Sequence, residues 1–155
     1  MSALYVASAV TGYAVAPLGR HAPSAATAVP FVGTVLHNLR VIAILSCGGV
    51  GLLMPTLIGG AWNGFLAGSL IAAVAGSSSW LAAILAHGIL EAIGQVCAMV
   101  AGAEVCRALV LWLRRGDGRV PWLAAKWLGA AVAFTCVAAL VESTLSPFIV
   151  SAVFR

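Results

Sequence analysis

Apolar residues fill this chain in long runs, separated by short clusters of glycine, proline, serine and arginine. Residues 2–18 contain Thr11, Gly12 and Pro17 and read as a short first membrane helix ended by Pro17 and Arg20. The run has no basic start, which argues against a cleaved signal peptide. Residues 21–30, edged by Pro23 and Pro30, read as a linker. Residues 31–40 are amphipathic and carry His37, Asn38 and Arg40. They form the entry to a second helix, residues 41–58, which is rich in glycine and holds Pro55.

A third helix is expected over residues 60–76. Gly60, Gly64, Gly68, Ala72 and Gly76 recur there every four residues, and such a stripe of small side chains lets another helix approach closely in lipid. Ser77, Ser78 and Ser79 form a break, with Ser79 the expected N-cap of the next helix. Residues 80–113 then run without a charged loop. As one helix at ~1.5 Å per residue they would extend ~50 Å, well beyond a ~30 Å hydrocarbon core. The segment is therefore overlong or broken, with Gly88, Gly94 and Gly102 as candidate break points. A last helix, residues 121–152, opens at Pro121, a natural first-turn residue, and has Pro147 near its end.

Basic residues order these elements across a membrane. Arg114, Arg115, Arg119 and Lys126 mark the connection before the last helix as cytoplasmic, and Trp80, Trp112, Trp122 and Trp127 sit near segment ends, where interfacial aromatics belong. If residues 80–113 cross once, the loop holding Arg20 and Arg40 falls outside; if they form a hairpin or re-entrant pair, it falls inside. The positive-inside bias favours the second, with the N-terminus outside. The expected fold is all-α: a polytopic bundle of about five helices in a single membrane domain, with a broken or re-entrant hairpin around residues 80–113.

Composition agrees with this class. The chain has 155 residues, 63% hydrophobic and 8% charged, with mean hydropathy +1.11. An ordinary soluble domain carries about a quarter charged residues. A secreted disulfide module, a coiled coil, a disordered segment and a typical cytosolic enzyme are thereby excluded. The net charge of +4 needs no polyanion, because most basic residues end apolar runs, and no aromatic-interleaved basic patch points to nucleic acid. Cys47, Cys97, Cys106 and Cys136 lie within apolar runs with no CxxC spacing, and read first as small buried hydrophobes.

Against this background the polar residues inside apolar runs need a reason, since an ionisable group at mid-helix costs about 2.5–3.5 kcal/mol or more. His87 and Glu91 lie four apart on one helix face, with Gln95 a further turn along. Glu104 and Arg107 are three apart and can pair locally. Glu142 lies in the last helix, and Asn38 and Asn63 lie near the starts of the second and third. One reading has these groups bond to one another and hold the bundle in register. A second makes them a polar pocket at membrane depth that transfers protons or holds a peptide. A third, minor one makes His87 and Glu91 two metal ligands, with Glu104 or Glu142 a third. No HExxH, phosphate-cradling loop, dinucleotide fingerprint or GxSxG is present, and no cofactor is expected.

The residues His37-Asn38-Leu39-Arg40-Val41, Asn63-Gly64-Phe65-Leu66-Ala67-Gly68, His87-Gly88-Ile89-Leu90-Glu91, Ala101-Gly102 and the late Glu142 resemble, in order and spacing, the stage II sporulation protein M family of integral membrane proteins. The resemblance spans residues 35–147 and leaves the N-terminal helix outside. Many relatives carry paired asparagines where this chain has His37-Asn38. The resemblance implies a helical membrane subunit working in a complex; the sporulation member acts beside a peptidoglycan hydrolase, and similar proteins occur among maturation and immunity proteins of ribosomal peptides. The shared polar positions fall on Asn38, Asn63, His87, Glu91 and Glu142.

The leading expectation is a subunit that holds or processes a peptide or cell-envelope substrate beside a second protein in the bacterial plasma membrane. The alternative is a cofactor-independent peptide epimerase with His87 and Glu91 as acid and base, and Cys97 or Cys106 as a thiol partner. A further alternative is a transport or immunity protein for a membrane-active peptide.

Overall fold

The computed structural model describes residues 1–16, 31–49, 53–116 and 121–153. Five helices follow one another: α1 (Ser2–Val15), α2 (Phe31–Ser46), α3 (Met54–Val74), α4 (Ser78–Arg115) and α5 (Trp122–Val153), with no strand among the described residues. Three stretches are long and apolar enough to cross a membrane: Met54–Val74, Trp80–Arg115 and Trp122–Leu145. The linker expected over residues 21–30, with Arg20 and Arg119, lies outside the described residues.

The residues at the helix contacts are small. α1 lies along α3 and α4 along α5, while α2 meets α3, α4 and α5. Gly60, Gly64, Gly68 and Ala72 are all buried, so the four-residue stripe is a contact face. It serves two neighbours. A methyl group on Gly68 would collide with the backbone carbonyl of Ala9, and one on Gly64 would stand 2.5 Å from the carbonyl oxygen of Tyr5, so these two receive α1. Gly60 instead faces the Met99 side chain of α4. Gly12 meets the Phe65 backbone in return, and Ser69 Oγ donates to the Gly12 carbonyl at 3.3 Å. Lipid provides no hydrophobic drive between helices, so close backbone approach supplies the dispersion contacts that hold them. Between α4 and α5 the seam includes Gly94, facing Ala131, Phe134 and Thr135.

The structure differs from the sequence expectation at three places. Residues 78–115 form one continuous helix of 38 residues, ~57 Å at ~1.5 Å per residue, rather than a broken or re-entrant pair. Two of the three glycines read as break points are contact points: Gly94 would bring a Cβ within 3.0 Å of Thr135 Oγ1, and Gly102 within 2.5 Å of the Leu45 carbonyl oxygen, while Gly88 meets only Ile84 of its own helix. The positive-inside argument for a hairpin treated Arg40 as a loop residue, whereas it lies within the body of α2. The second helix ends at Ser46, not near residue 58. Gly48 packs against the Gly102 backbone, the Leu53 amide donates to the Gly48 carbonyl at 2.9 Å, and Pro55 occupies the first turn of α3. Proline there forgoes an amide that has no helical acceptor, so it starts a helix rather than interrupting one. Leu53, at φ 73°, holds the left-handed conformation at this turn. Finally, α4 begins at Ser78 with Ser77 as N-cap, so Ser79 is already helical.

α3 and α4 join through a tight turn at residues 75–77 and run antiparallel, and α5 runs antiparallel to α4. Counting along α4 and α5 from the Gly94 contact brings Trp122 level with Glu104 and Arg107, so the last turns of α4 continue past the start of α5. Trp112 and Trp122 are exposed near these ends. Cys97 and Cys106 are buried, Cys136 is half-buried and Cys47 is exposed at the end of α2.

Candidate functional site

Four helices bring their polar residues to one cavity of about 410 Å³. α4 supplies His87, Glu91 and Gln95 from successive turns of one face, as 3.6 residues per turn requires. α2 supplies His37 and Asn38, α3 supplies Asn63, and α1 supplies Tyr5. The centre is a hydrogen bond from Asn38 Nδ2 to Glu91 Oε1, joining residues 53 apart in sequence. Asn63 Nδ2 donates within its own helix to the Gly59 carbonyl at 2.8 Å, and its side-chain oxygen keeps its acceptor capacity. Gln95 Oε1 is buried and receives no hydrogen bond among the described residues.

Glu91 is the one carboxyl group on the cavity wall among the described residues, set among the imidazoles of His37 and His87 and the amides of Asn38, Asn63 and Gln95. His87 lies one turn before Glu91, and His37 lines the same space from α2. No lysine or arginine lines the cavity among the described residues. Glu91 lies 13 residues into α4, ~20 Å from its N-terminal end and ~36 Å from Arg115 at ~1.5 Å per residue. The cavity is thus set toward the N-terminal end of α4, away from Arg114 and Arg115.

The sequence-derived candidates divide as follows. His87, Glu91, Asn38, Asn63 and Gln95 share the cavity. Glu142 is half-buried on α5 and does not line the space. Glu104 does not join them: it accepts from Arg107 at 2.8 Å, more than three turns beyond Glu91. Cys97 lies on an adjoining apolar wall and Cys106 packs elsewhere. Tyr5 is a cavity residue that the sequence reading passed over. Its signal was a phenol in a largely apolar first helix, a polar tip that needs a reason at membrane depth, though Tyr13 carries the same signal and lines the apolar groove instead.

This geometry bears on chemistry. A set of acceptors with one carboxylate can hold an amide or ammonium group, because each N–H finds an oxygen. Epimerisation at one carbon needs acid and base on its opposite faces, and His87 and Glu91 stand on the same helix face; His37 on α2 is the titratable side chain across from them. Among the described residues no three of His, Cys, Asp and Glu gather as a metal site.

An all-α bundle with three helices fit to cross a membrane and a polar cavity enclosed by four helices defines a helical membrane protein. The model of the stage II sporulation protein M family (SpoIIM) matches residues 1–147, and the chain belongs to that family. The match includes α1, which the sequence resemblance had left outside; α1 is part of the shared unit, as its packing against Gly64 and Gly68 and its donation of Tyr5 require. No curated protein and no solved structure matches the chain.

Proposed function

We propose that this SpoIIM-family chain is a multi-pass subunit of a bacterial plasma-membrane complex, and that it holds a peptide or cell-envelope substrate by its N–H groups in the cavity around Glu91. The observation that carries this reading is the convergence of His37, Asn38, Asn63, His87, Glu91 and Gln95, from three helices, on one space where Gln95 Oε1 is buried with no hydrogen-bond partner among the described residues. A purely structural polar contact needs two partners and no cavity.

The orientation follows from charge. Arg114 and Arg115 end α4, and Lys126 lies over the Trp122 ring at 5.8 Å, so the α4–α5 connection faces the cytoplasm and the cavity lies toward the opposite side.

Arg40 supports the partner subunit. It is exposed on α2, between the level of the Asn38–Glu91 hydrogen bond and that of the Gly48–Gly102 contact, and Glu91, Glu104 and Glu142 make no ion pair with it. A guanidinium facing lipid at this depth costs about 2.5–3.5 kcal/mol or more. A carboxylate on a neighbouring transmembrane helix offsets that cost.

Photo-crosslinking in the native host tests both halves. A photoreactive residue at Leu85, on the cavity wall, is expected to capture a substrate-sized adduct that Glu91→Ala abolishes. One at Ile44, exposed one turn from Arg40, is expected to capture a protein of defined mass that Arg40→Leu abolishes. Adducts unchanged by these substitutions overturn the reading.

A further inference from the structure

Beside the polar cavity runs a larger space, a groove of about 720 Å³ along α1 and α4 that reaches Trp127 on α5. Its walls are carbon almost throughout, with Val6, Val10, Ile93 and Val96 as typical members. Cavity and groove meet: Tyr5, Ala9, Ile71, Ile89 and Ala92 line both. The two therefore open on either side of one ring of side chains. α4 makes the division by its periodicity. His87, Glu91 and Gln95 face the polar side, and Ile89, Ile93 and Val96 face the groove.

The polar end selects the head. A phosphate there would meet the Glu91 carboxylate with no lysine or arginine on the cavity wall to balance it. A donor group meets Glu91 and also Gln95 Oε1, which is buried and lacks a hydrogen bond among the described residues. A buried acceptor is stabilised by gaining a donor, and a charge-assisted pair with an ammonium is stronger than a neutral one. The combined volumes suit one elongated small ligand rather than a folded partner.

We propose that cavity and groove together bind a single long-chain amphiphile lengthwise: an N–H-bearing head, ammonium or amide, against Glu91 and Gln95, and a hydrocarbon chain along the groove toward Trp127. This names the substrate class of the same site and rests on the binding reading above. The chain end of the ligand points toward the arginine-bearing end of the bundle and the head toward the other.

The test uses the full chain in phosphatidylcholine nanodiscs, with Trp127 as the remaining tryptophan and the others changed to phenylalanine. The probes are hexadecylamine and hexadecyl phosphate, each brominated near the chain end. The amine is expected to quench Trp127 saturably at a mole fraction at least tenfold below that of the phosphate. Native mass spectrometry of the unaltered protein is expected to retain the amine alone. Val10→Phe with Ile93→Phe fills the groove at two exposed positions outside the cavity and is expected to weaken the amine at least tenfold; Glu91→Gln is expected to erase its advantage over the phosphate. Equal, unsaturable quenching by both probes means annular lipid only and overturns the proposal. If the filled groove binds the amine unchanged while Glu91→Gln still releases it, the lengthwise arrangement fails and the cavity reading stands. Indifference to every substitution overturns both.

Discussion

Gly102→Leu is expected to destabilise the bundle by about 3 kcal/mol, the upper end of the usual overpacking range. A Cβ on Gly102 would stand 2.5 Å from the Leu45 carbonyl oxygen and 2.6 Å from Thr56 Oγ1, while Gly48 presses on the Gly102 backbone itself. Thr56 Oγ1 donates to that same carbonyl at 2.8 Å, with both groups buried, so the intruding side chain also separates a hydrogen bond. Backbone cannot rotate away as a side chain can. The ends of α2 and α3 must part from α4, and the connection between them must open. Unfolding in mixed micelles of rising denaturing-detergent fraction measures the loss. Gly129→Ala is the control: nothing lies within 4 Å of its added Cβ, and stability should hold within about 0.5 kcal/mol or rise, since alanine favours helix. Equal losses at the two positions would contradict the crossing.

Asn38→Leu is expected to cost about 1–2 kcal/mol, at the upper end for hydrogen bonds measured in membrane proteins. The substitution leaves Glu91 without the donor that α2 brings to it. Removing one partner of a buried pair strands the other, whereas removing both does not. The double substitution Asn38→Leu with Glu91→Leu should therefore recover most of the stability. Substrate capture at the cavity should fall by roughly one to two orders of magnitude in either single variant, in line with the about 1.5–3 kcal/mol of a hydrogen bond to a charged group. A double variant no more stable than Asn38→Leu alone would show that the pair does not act as a unit.

Much of this arrangement was written in residue types. The small-residue stripe on α3 is visible because spacing by four and side-chain size are both local properties, and they decide close approach in lipid. The polar set was visible because each member is costly in an apolar run. What spacing did not reveal is which groups meet. Asn38 and Glu91 join across 53 residues, and Glu104, as polar as its neighbours, is paired with Arg107 instead. Glycine misled in α4, where Gly94 and Gly102 carry contacts rather than breaks; a missing side chain permits both, and tertiary packing selects. Pro55 misled in the same way, since proline both ends and begins helices. Tyr5 escaped notice because a tyrosine in an apolar helix is also ordinary at a membrane interface.

The backbone-to-backbone contact between α1 and α3 has a consequence for genetic repair. A core defect made of two opposed side chains can be mended by trimming the opposite one. Where Gly68 meets the carbonyl of Ala9, the opposing group belongs to the peptide chain itself and no codon change can shorten it. A selection for revertants of Gly68→Leu should accordingly return glycine at position 68. Second-site suppressors on the facing surface of α1 should be absent from the harvest.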